Sequence, residues 1–399
     1  MCAAGPKVLI FSPFFPWPQN HGDALRRLAI IDEIAKRYQT TVITIRRDGT
    51  SEAHIREVAA RNPSIEWVLA PRLETSSRSV TSRLRRTLQG LAQGIPPWVL
   101  TLVTPQSVRM VGDRIEAGEF STLILLGEAA GLAARRSNSE LIWDKSNVLV
   151  SSDLRAVREA RGITQRIRGA LQAPLAFRFE KRVLGVANQV WVTTTAEHER
   201  LAKYYSTPVV EVIPSVFDVP IDPTGFDPES RTLLWMGTLN YGPNWDGLKE
   251  FIRTNGKWLD AHGFTVRVVG GGASKGKERW LKAQSMVDYV GYAPELSTAL
   301  RGARVGIVPI LTGAGLKLKT LTFMGYGIPV VSTYQGMEGI PTKAAAALVQ
   351  SMDQFPAAIT NLSSDSLYQA SRYARSVAHD KFSTAALGAR IDDALQERS

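Results

Sequence analysis

The sequence predicts an α/β protein built as two doubly wound, Rossmann-like halves facing a central cleft. Three observations carry that expectation. The chain opens on the order strand, loop, helix, strand, which is how a parallel sheet with helices on its faces begins. The same order restarts after a proline-rich stretch at 207–230, which breaks up any helix and reads as a linker. A length of 399 residues is too great for one comfortable core and sufficient for two.

The elements follow in order. KVLIFSPFF (7–15) is a buried strand leading into the proline-rich loop PWPQNHG. DALRRLAIIDEIAKRY then places Leu25, Leu28, Ile31 and Ile34 at helical spacing, with Asp23 near the helix start. TTVITIRR (40–47), STLILLGE (121–128), ELIWD (140–144) and QVWVTT (189–194) read as further strands of the first half. Beyond the linker, TLLWMGTL (232–239), FTVRVVGGG (264–272), VDYVGY (287–292), VGIVPI (305–310) and PVVSTY (329–334) alternate with helical stretches. KFSTAALGARIDDALQERS is an amphipathic helix expected to pack back toward the first half. The boundaries expected are 1–207, 208–380 and 381–399. No repeat at solenoid period and no low-complexity tract interrupts this pattern.

Composition narrows the function classes. Hydrophobic content of 44% and charged content of 21% are those of a globular protein. No stretch approaches the ~20 apolar residues of a membrane span. MCAAGPKVLIFSPFF enters a strand without the basic and apolar regions of a signal peptide, so a cytoplasmic protein is expected. Cys2 is the single cysteine and has no internal partner, and no Cys/His cluster suggests zinc. The net charge of +11 is unevenly placed. Arg72, Arg78, Arg83, Arg85 and Arg86 stand against Glu74 alone, and a second basic stretch runs from Arg155 to Arg182. Such surfaces attract phosphates, so peripheral association with an anionic membrane is a separate expectation. The absence of a zinc finger, an RNA-recognition motif or an aromatic-interleaved basic sheet argues against nucleic acid.

Open parallel sheets bind ligands beyond the carboxyl ends of their strands. Gly237 stands at such an end, where backbone can approach a ligand without a Cβ in the way, and Asn244, Trp245 and Asp246 follow it into a helix. VVGGGASK (268–275) ends another strand in three glycines but is not GxGxxG. GAGLKLKTLTFMGYGIPVV (313–331) carries more chemistry. Gly313 and Gly315 precede a helix N-terminus, a ready anion site, and Lys317 and Lys319 add full positive charges where side-chain cations are otherwise mildly unfavourable. Together they suit a diphosphate better than a carboxylate, with solvated lysines as the alternative. In the first half, His21 lies beside Gly22 in the loop after the first strand, and Glu128 and Asp144 end strands. Either carboxylate could orient or deprotonate an acceptor hydroxyl, or cap a helix. Trp98 could stack on a sugar or lipid, or pack in the core.

LLWMGTLNYGPNWDGLKEF, RVVGGG, VDYVGYAPELSTALRGARVGIVPI and GAGLKLKTLTFMGYGIPVVSTYQGMEGI, in this order and spacing, resemble the donor-binding domain of glycosyltransferase family 4. SPFFPWPQNHGDALRRL, LIWDKSNV and FRFEKRVLGVANQVWVTTTAEHERL resemble that family's first domain. The resemblance implies the GT-B fold, with an acceptor-binding first domain and a second domain that binds a nucleotide sugar. It implies a retaining transferase moving a hexosyl or deoxyhexosyl group from a nucleoside-diphosphate sugar to a saccharide, lipid-linked or natural-product acceptor hydroxyl, without an obligatory metal or other cofactor. Gly22 and the 313–319 turn would then flank the diphosphate, the base would lie near Gly291 and Tyr292, and Lys317 or Lys319 would counter the leaving charge. Acceptor specificity would live in first-domain loops such as 72–104 and 146–180.

The sequence also departs from the family, whose Glu-x7-Glu positions are here Ala314 and Thr322. A threonine can hydrogen-bond a ribose hydroxyl but lacks the charged, two-acceptor grip of a carboxylate. Either the ribose is held otherwise, or the donor is unusual, or activity is lost; Glu338 in GMEGI is a substitute contact. The rival readings are therefore a non-catalytic nucleotide-sugar binder and a nucleotide-sugar epimerase, although the latter needs paired carboxylates and a histidine that this chain offers only scattered.

Overall fold

A computed structural model describes residues 6–17, 22–46, 50–71, 80–159, 163–217, 219–220, 225–313 and 315–396. The chain divides into two compact units, 1–215 with 387–399, and 216–386.

The first unit contains β1 (Lys7–Ser12), α1 (Gly22–Ala35), β2 (Gln39–Ile45), α2 (Glu52–Arg61), β3 (Glu66–Ala70), α3 (Val80–Gln93), α4 (Pro105–Glu116), β4 (Thr122–Leu126), β5 (Glu140–Lys145), α5 (Leu149–Glu159), α6 (Ile163–Leu184), β6 (Gln189–Val192), α7 (Thr195–Tyr204) and β7 (Val209–Val212). All seven strands are parallel, in the order β3-β2-β1-β4-β5-β6-β7. The core is built from strand residues such as Leu9, Phe11, Leu125 and Trp143, with Phe179 of α6 edge-on to the Trp143 ring at 6.3 Å.

Three sequence expectations change here. The linker expected over 207–230 gives up residues 209–212 to β7, whose Val210 and Val212 pair in register with Val190 and Val192. Its prolines flank the strand at 208 and 214, and an edge strand tolerates them. The boundary therefore falls at 215 rather than 207. The expected first-domain loops at 72–104 and 146–180 contain helices α3, α5 and most of α6. Leu25 is only partly buried, whereas Arg26 and Arg27 turn inward beside Leu28, Ile31 and Ile34.

The second unit contains β8 (Thr232–Met236), α8 (Gly242–Ala261), β9 (Thr265–Val269), α9 (Lys275–Lys282), β10 (Val287–Gly291), α10 (Leu296–Leu300), β11 (Val305–Val308), α11 (Leu318–Gly325), β12 (Val330–Thr333), β13 (Ala347–Val349), α12 (Phe355–Thr360) and α13 (Ser364–Phe382). Its parallel sheet runs β10-β9-β8-β11-β12-β13. Leu233 and Trp235 face Leu248, Phe251 and Ile252 of α8, and Leu234 and Val308 face Leu321, Phe323 and Met324 of α11. Both faces are covered, which is why these strands read as continuous apolar runs. A final helix, α14 (Thr384–Gln396), packs with the first unit from Leu387 onward. There Arg37 Nη2 donates to Asp392 at 2.7 Å and Gln189 Nε2 to the Ala394 carbonyl at 3.0 Å. Among the described residues, no helix is long and apolar enough to cross a membrane.

Candidate functional site

In the second unit the chain order reverses between β8 and β11, adjacent strands whose helices α8 and α11 pack on opposite faces. This is the place where an open α/β sheet leaves a crevice at its carboxyl edge. Two glycines draw its walls together. A Cβ on Gly247 of α8 would lie 2.0 Å from the Pro309 carbonyl oxygen, and one on Gly306 of β11 would lie 2.4 Å from the Phe323 ring of α11.

The turn before α11 is organised around Lys317. Gly313 (φ +110°) and Gly315 (φ +79°) adopt left-handed backbone that favours glycine. Lys317 Nζ donates to the Gly315 carbonyl at 2.6 Å and reaches Glu338 Oε2 at 3.4 Å. Gln335 Nε2 donates to the same Glu338 oxygen and to the Gly313 carbonyl, each at 2.6 Å, and so ties the turn to the segment after β12. Lys317 is also the N-cap of α11 and makes no side-chain cap bond, so its side chain leaves the helix's first N–H groups to other acceptors.

Lys319 turns toward the end of β8. Its Nζ donates to Asn244 Oδ1 at 2.6 Å and lies 4.9 Å from the centre of the Trp235 ring. The Asn244 amide is oriented by its own donation to the Thr238 carbonyl at 3.0 Å. Gly237 is required here, because a Cβ would lie 2.9 Å from both Lys319 Nζ and Asn244 Nδ2. Burial, and then the neighbouring charge of Lys317, lower the Lys319 pKa to about 7. A third cation, Lys277 of α9, donates to the Leu239 carbonyl at 2.6 Å. The crevice thus gathers three amines and one close carboxylate, together with the N-termini of two helices. That arrangement can hold a multiply charged anion, and Lys319 can take up a proton when one arrives.

The remaining second-unit residues take varied places. Gly291 ends β10 with φ +76°, and its carbonyl accepts from Gly270 N–H at 2.7 Å. Tyr292 beside it is 75% exposed. Thr322 is buried, and its hydroxyl donates to the Leu318 carbonyl one turn back at 2.9 Å. The sequence reading passed over Gln335 and Lys277. The signals were present in the Gln-Gly-Met-Glu spacing and in Lys277 three residues after the Ser274 N-cap.

In the first unit, Gly22 opens α1, whereas His21 lies outside the described residues. The reading of Asp144 as a group facing an acceptor is corrected. It is 1% exposed and pairs with the equally buried Arg26, whose Nη1 also donates to the Ile213 carbonyl at 2.6 Å. A carboxylate so enclosed neutralises a core cation. Glu128 Oε1 accepts from Ser146 and Asn147 N–H at 3.0 and 2.9 Å, so it caps the chain leaving β5. Burial and the Asp23 charge raise its pKa. Trp98 is half-buried against the first unit's core. A fully buried pair that the sequence did not suggest, Lys145 and Glu180, lies nearby. Glu180 also accepts from Leu149 N–H and from the Tyr205 hydroxyl, each at 2.8 Å.

Residues 230–365 match the family described as Glycosyl transferases group 1. Gly237, Gly291, Tyr292, Gly313, Gly315, Lys317, Lys319, Thr322 and Glu338 all lie within the matched residues. No curated protein matches the sequence. Solved structures match across the whole chain. HepE of Anabaena, in complex with UDP and glucose, is 12% identical with a TM-score of 0.63 over 98% of this chain and 100% of its own. A variant of S. aureus TarM in complex with fondaparinux, α-GlcNAc-glycerol and UDP is 11% identical, with a TM-score of 0.67 over 98% and 100%. WaaG, a glycosyltransferase involved in lipopolysaccharide biosynthesis, is 15% identical, with a TM-score of 0.62 over 98% and 99%. The chain has the GT-B fold, and the matched residues lie within its second unit.

Proposed function

We propose that the protein is a retaining glycosyltransferase that moves a hexosyl or deoxyhexosyl group from a nucleoside-diphosphate sugar to an acceptor hydroxyl. The observation that carries this reading is the two-glycine, two-lysine turn at the strand-order reversal of the second unit, within the residues matched by the family model. HepE binds UDP-glucose in a related fold, which supports a nucleotide-sugar donor. In this reading the diphosphate lies against the start of α11 and the ammonium groups of Lys317 and Lys319. The bond between the sugar's anomeric carbon and the phosphate oxygen breaks as the acceptor oxygen bonds to that carbon from the same face. The acceptor proton passes to the departing phosphate. Lysine charge, rather than a protein base or a metal, stabilises the leaving group, so Lys317 is the residue assigned to catalysis. The base lies toward Gly291 and Tyr292, and Glu338 with Gln335 holds the turn in shape.

A second reading, a nucleotide-sugar binder that does not transfer, is favoured by Thr322, whose hydroxyl is engaged by its own helix. Thermal shift against a panel of nucleoside diphosphates and their sugars tests the donor site. A ligand at ~100 times its dissociation constant adds ~2.7 kcal/mol. Stabilisation by one nucleotide, lost in Lys317→Ala plus Lys319→Ala, is expected; stabilisation by none of them rejects both readings. Steady donor turnover with a retained anomeric configuration separates transfer from binding alone. The acceptor is a saccharide, a lipid-linked saccharide or a natural product. Peripheral attraction of the first unit's arginine-rich stretches, outside the α3–α6 groove, to an anionic membrane is a separate reading, and sedimentation with anionic liposomes at low and high salt checks it, absence of binding at low salt rejecting it.

A further inference from the structure

Helices α3 and α6 of the first unit enclose a groove of about 650 Å³. Leu175, 5% exposed, and the half-buried Trp98 lie at its base. Leu91 of α3 and Ile167 and Leu171 of α6 form its walls. Among the described residues, every large aliphatic side chain more than half exposed belongs to these two helices: Leu84, Leu88, Ile163, Ile167 and Leu171, at 55–75%. Scattered apolar exposure is ordinary, but this concentration marks a surface made to meet something apolar. Charge selects the kind of partner. Arg86 and Arg168 line the groove. Residues 80–101 and 163–179 together carry Arg83, Arg85, Arg86, Arg166, Arg168 and Arg178 without a single Asp or Glu.

We propose that the groove between α3 and α6 binds the hydrocarbon chain of an anionic amphiphile, a long-chain phosphate ester, with Arg86 and Arg168 meeting its phosphate. The concavity decides between one chain and a bilayer face. A flat membrane would cover the ridges and leave a hollow of this size unfilled, whereas 650 Å³ falls within the range of small-molecule pockets. Naming this amphiphile as the carrier of the acceptor rests on the transferase reading above; the groove's affinity for it does not.

The test uses the full-length protein and calorimetric titration with dodecyl phosphate below its micellar concentration, beside inorganic phosphate and dodecyl maltoside. Dodecyl phosphate is expected to bind more tightly than either. Leu91→Glu plus Leu171→Glu, substitutions at sites 48% and 61% exposed, places carboxylates on the walls with little risk to folding. This pair is expected to weaken dodecyl phosphate at least about tenfold, the loss of one apolar side-chain contact or more. Arg86→Ala plus Arg168→Ala is expected to weaken dodecyl phosphate about threefold and to leave dodecyl maltoside unchanged. Equal affinity for dodecyl phosphate and inorganic phosphate, or no effect of the leucine substitutions, overturns the proposal. Binding to phosphatidylglycerol vesicles without binding of the monomeric amphiphile overturns it in favour of a bilayer-docking face. A dimer that dissociates on leucine substitution, with no amphiphile bound, overturns it in favour of a self-association surface. The nucleotide-induced thermal shift of the same variants is read separately. If that shift is absent in the unaltered protein while dodecyl phosphate still binds, the donor reading fails and the groove stands.

Discussion

With its pKa near 7, Lys319 gives the proposed donor site a pH signature. The lowered value means that folding disfavours the charged amine. That cost is fully present below pH 7 and is relieved as pH rises from 7 toward 10.5, the window in which the unfolded chain binds the extra proton. A bound diphosphate favours the charged form and raises the pKa again. Nucleotide binding at pH 8 is therefore expected to take up a proton, visible as calorimetric heats that vary with the ionisation enthalpy of the buffer. Affinity should fall by at most about tenfold per pH unit above pH 7. Lys319→Met should abolish the proton uptake and weaken the nucleotide, while stabilising the unliganded protein at pH 6. Proton-independent binding would remove Lys319 from the site. Transfer should also survive EDTA, and loss of activity restored by a divalent cation would shift the leaving-group charge from lysine to metal. At this scale the sequence was legible where chemistry is local. Gly313, Gly315, Lys317 and Lys319 stand within seven residues of one another, but the partner that orients Lys319, Asn244, is 75 residues away. Asp144 misled because its partner Arg26 is 118 residues distant and lies in a helix read only for its apolar stripe.

Among the elements, α5 begins on the side chain of another helix. Glu180 of α6 accepts from Leu149 and Val150 N–H at 2.8 and 3.1 Å, from the Tyr205 hydroxyl, and from the Lys145 ammonium, with both charged side chains 0% exposed. Removing one charge of such a pair leaves the other buried and uncompensated. Glu180→Gln is expected to cost about 3–5 kcal/mol in chemical denaturation, whereas Lys145→Met with Glu180→Gln together should recover part of the loss. A single mutant as stable as the parent would show that the pair relaxes into solvent. Burial of Asp153 near Glu180 also brings its carboxyl to about 6, so its protonated form is favoured by folding and the corresponding contribution is lost as pH rises through 6. Elements covered on both faces were the easiest to read, because Leu233 to Trp235 and Val305 to Val308 leave no polar alternation to mistake for a loop. β7 was the hardest. Four residues, prolines on both sides and only partial burial imitate a linker, and the pairing with β6 that makes it a strand is a long-range fact.

Across the whole molecule, the two units differ in how the chain enters them. The second is one continuous stretch, 216–386, whereas the first is closed by 387–399 from the far end of the chain. Leu387 and Ile391 are 1% and 0% exposed in α14, and burying two such side chains is worth about 3–6 kcal/mol. Truncation after Ala386 is expected to lower the first unit's unfolding midpoint while the nucleotide-dependent transition of the second is retained. A single coincident transition in the truncated protein would show that the units unfold together. The strand-and-helix order of both units was readable from the pattern restarting after the prolines. The groove between α3 and α6 was not, since its walls lie far apart in the chain and their arginines obscured the leucines between them.

The closure of the first unit by α14 has a consequence for synthesis. A ribosome makes β1 through β7 first, yet the helix carrying Leu387 and Ile391 emerges only after every residue of the second unit. The contiguous half can therefore complete its packing while the half that was begun earlier still waits with an open flank. Chains released after residue 386 should be protease-sensitive in their older segment and resistant in their newer one, the reverse of the usual N-terminal-first order.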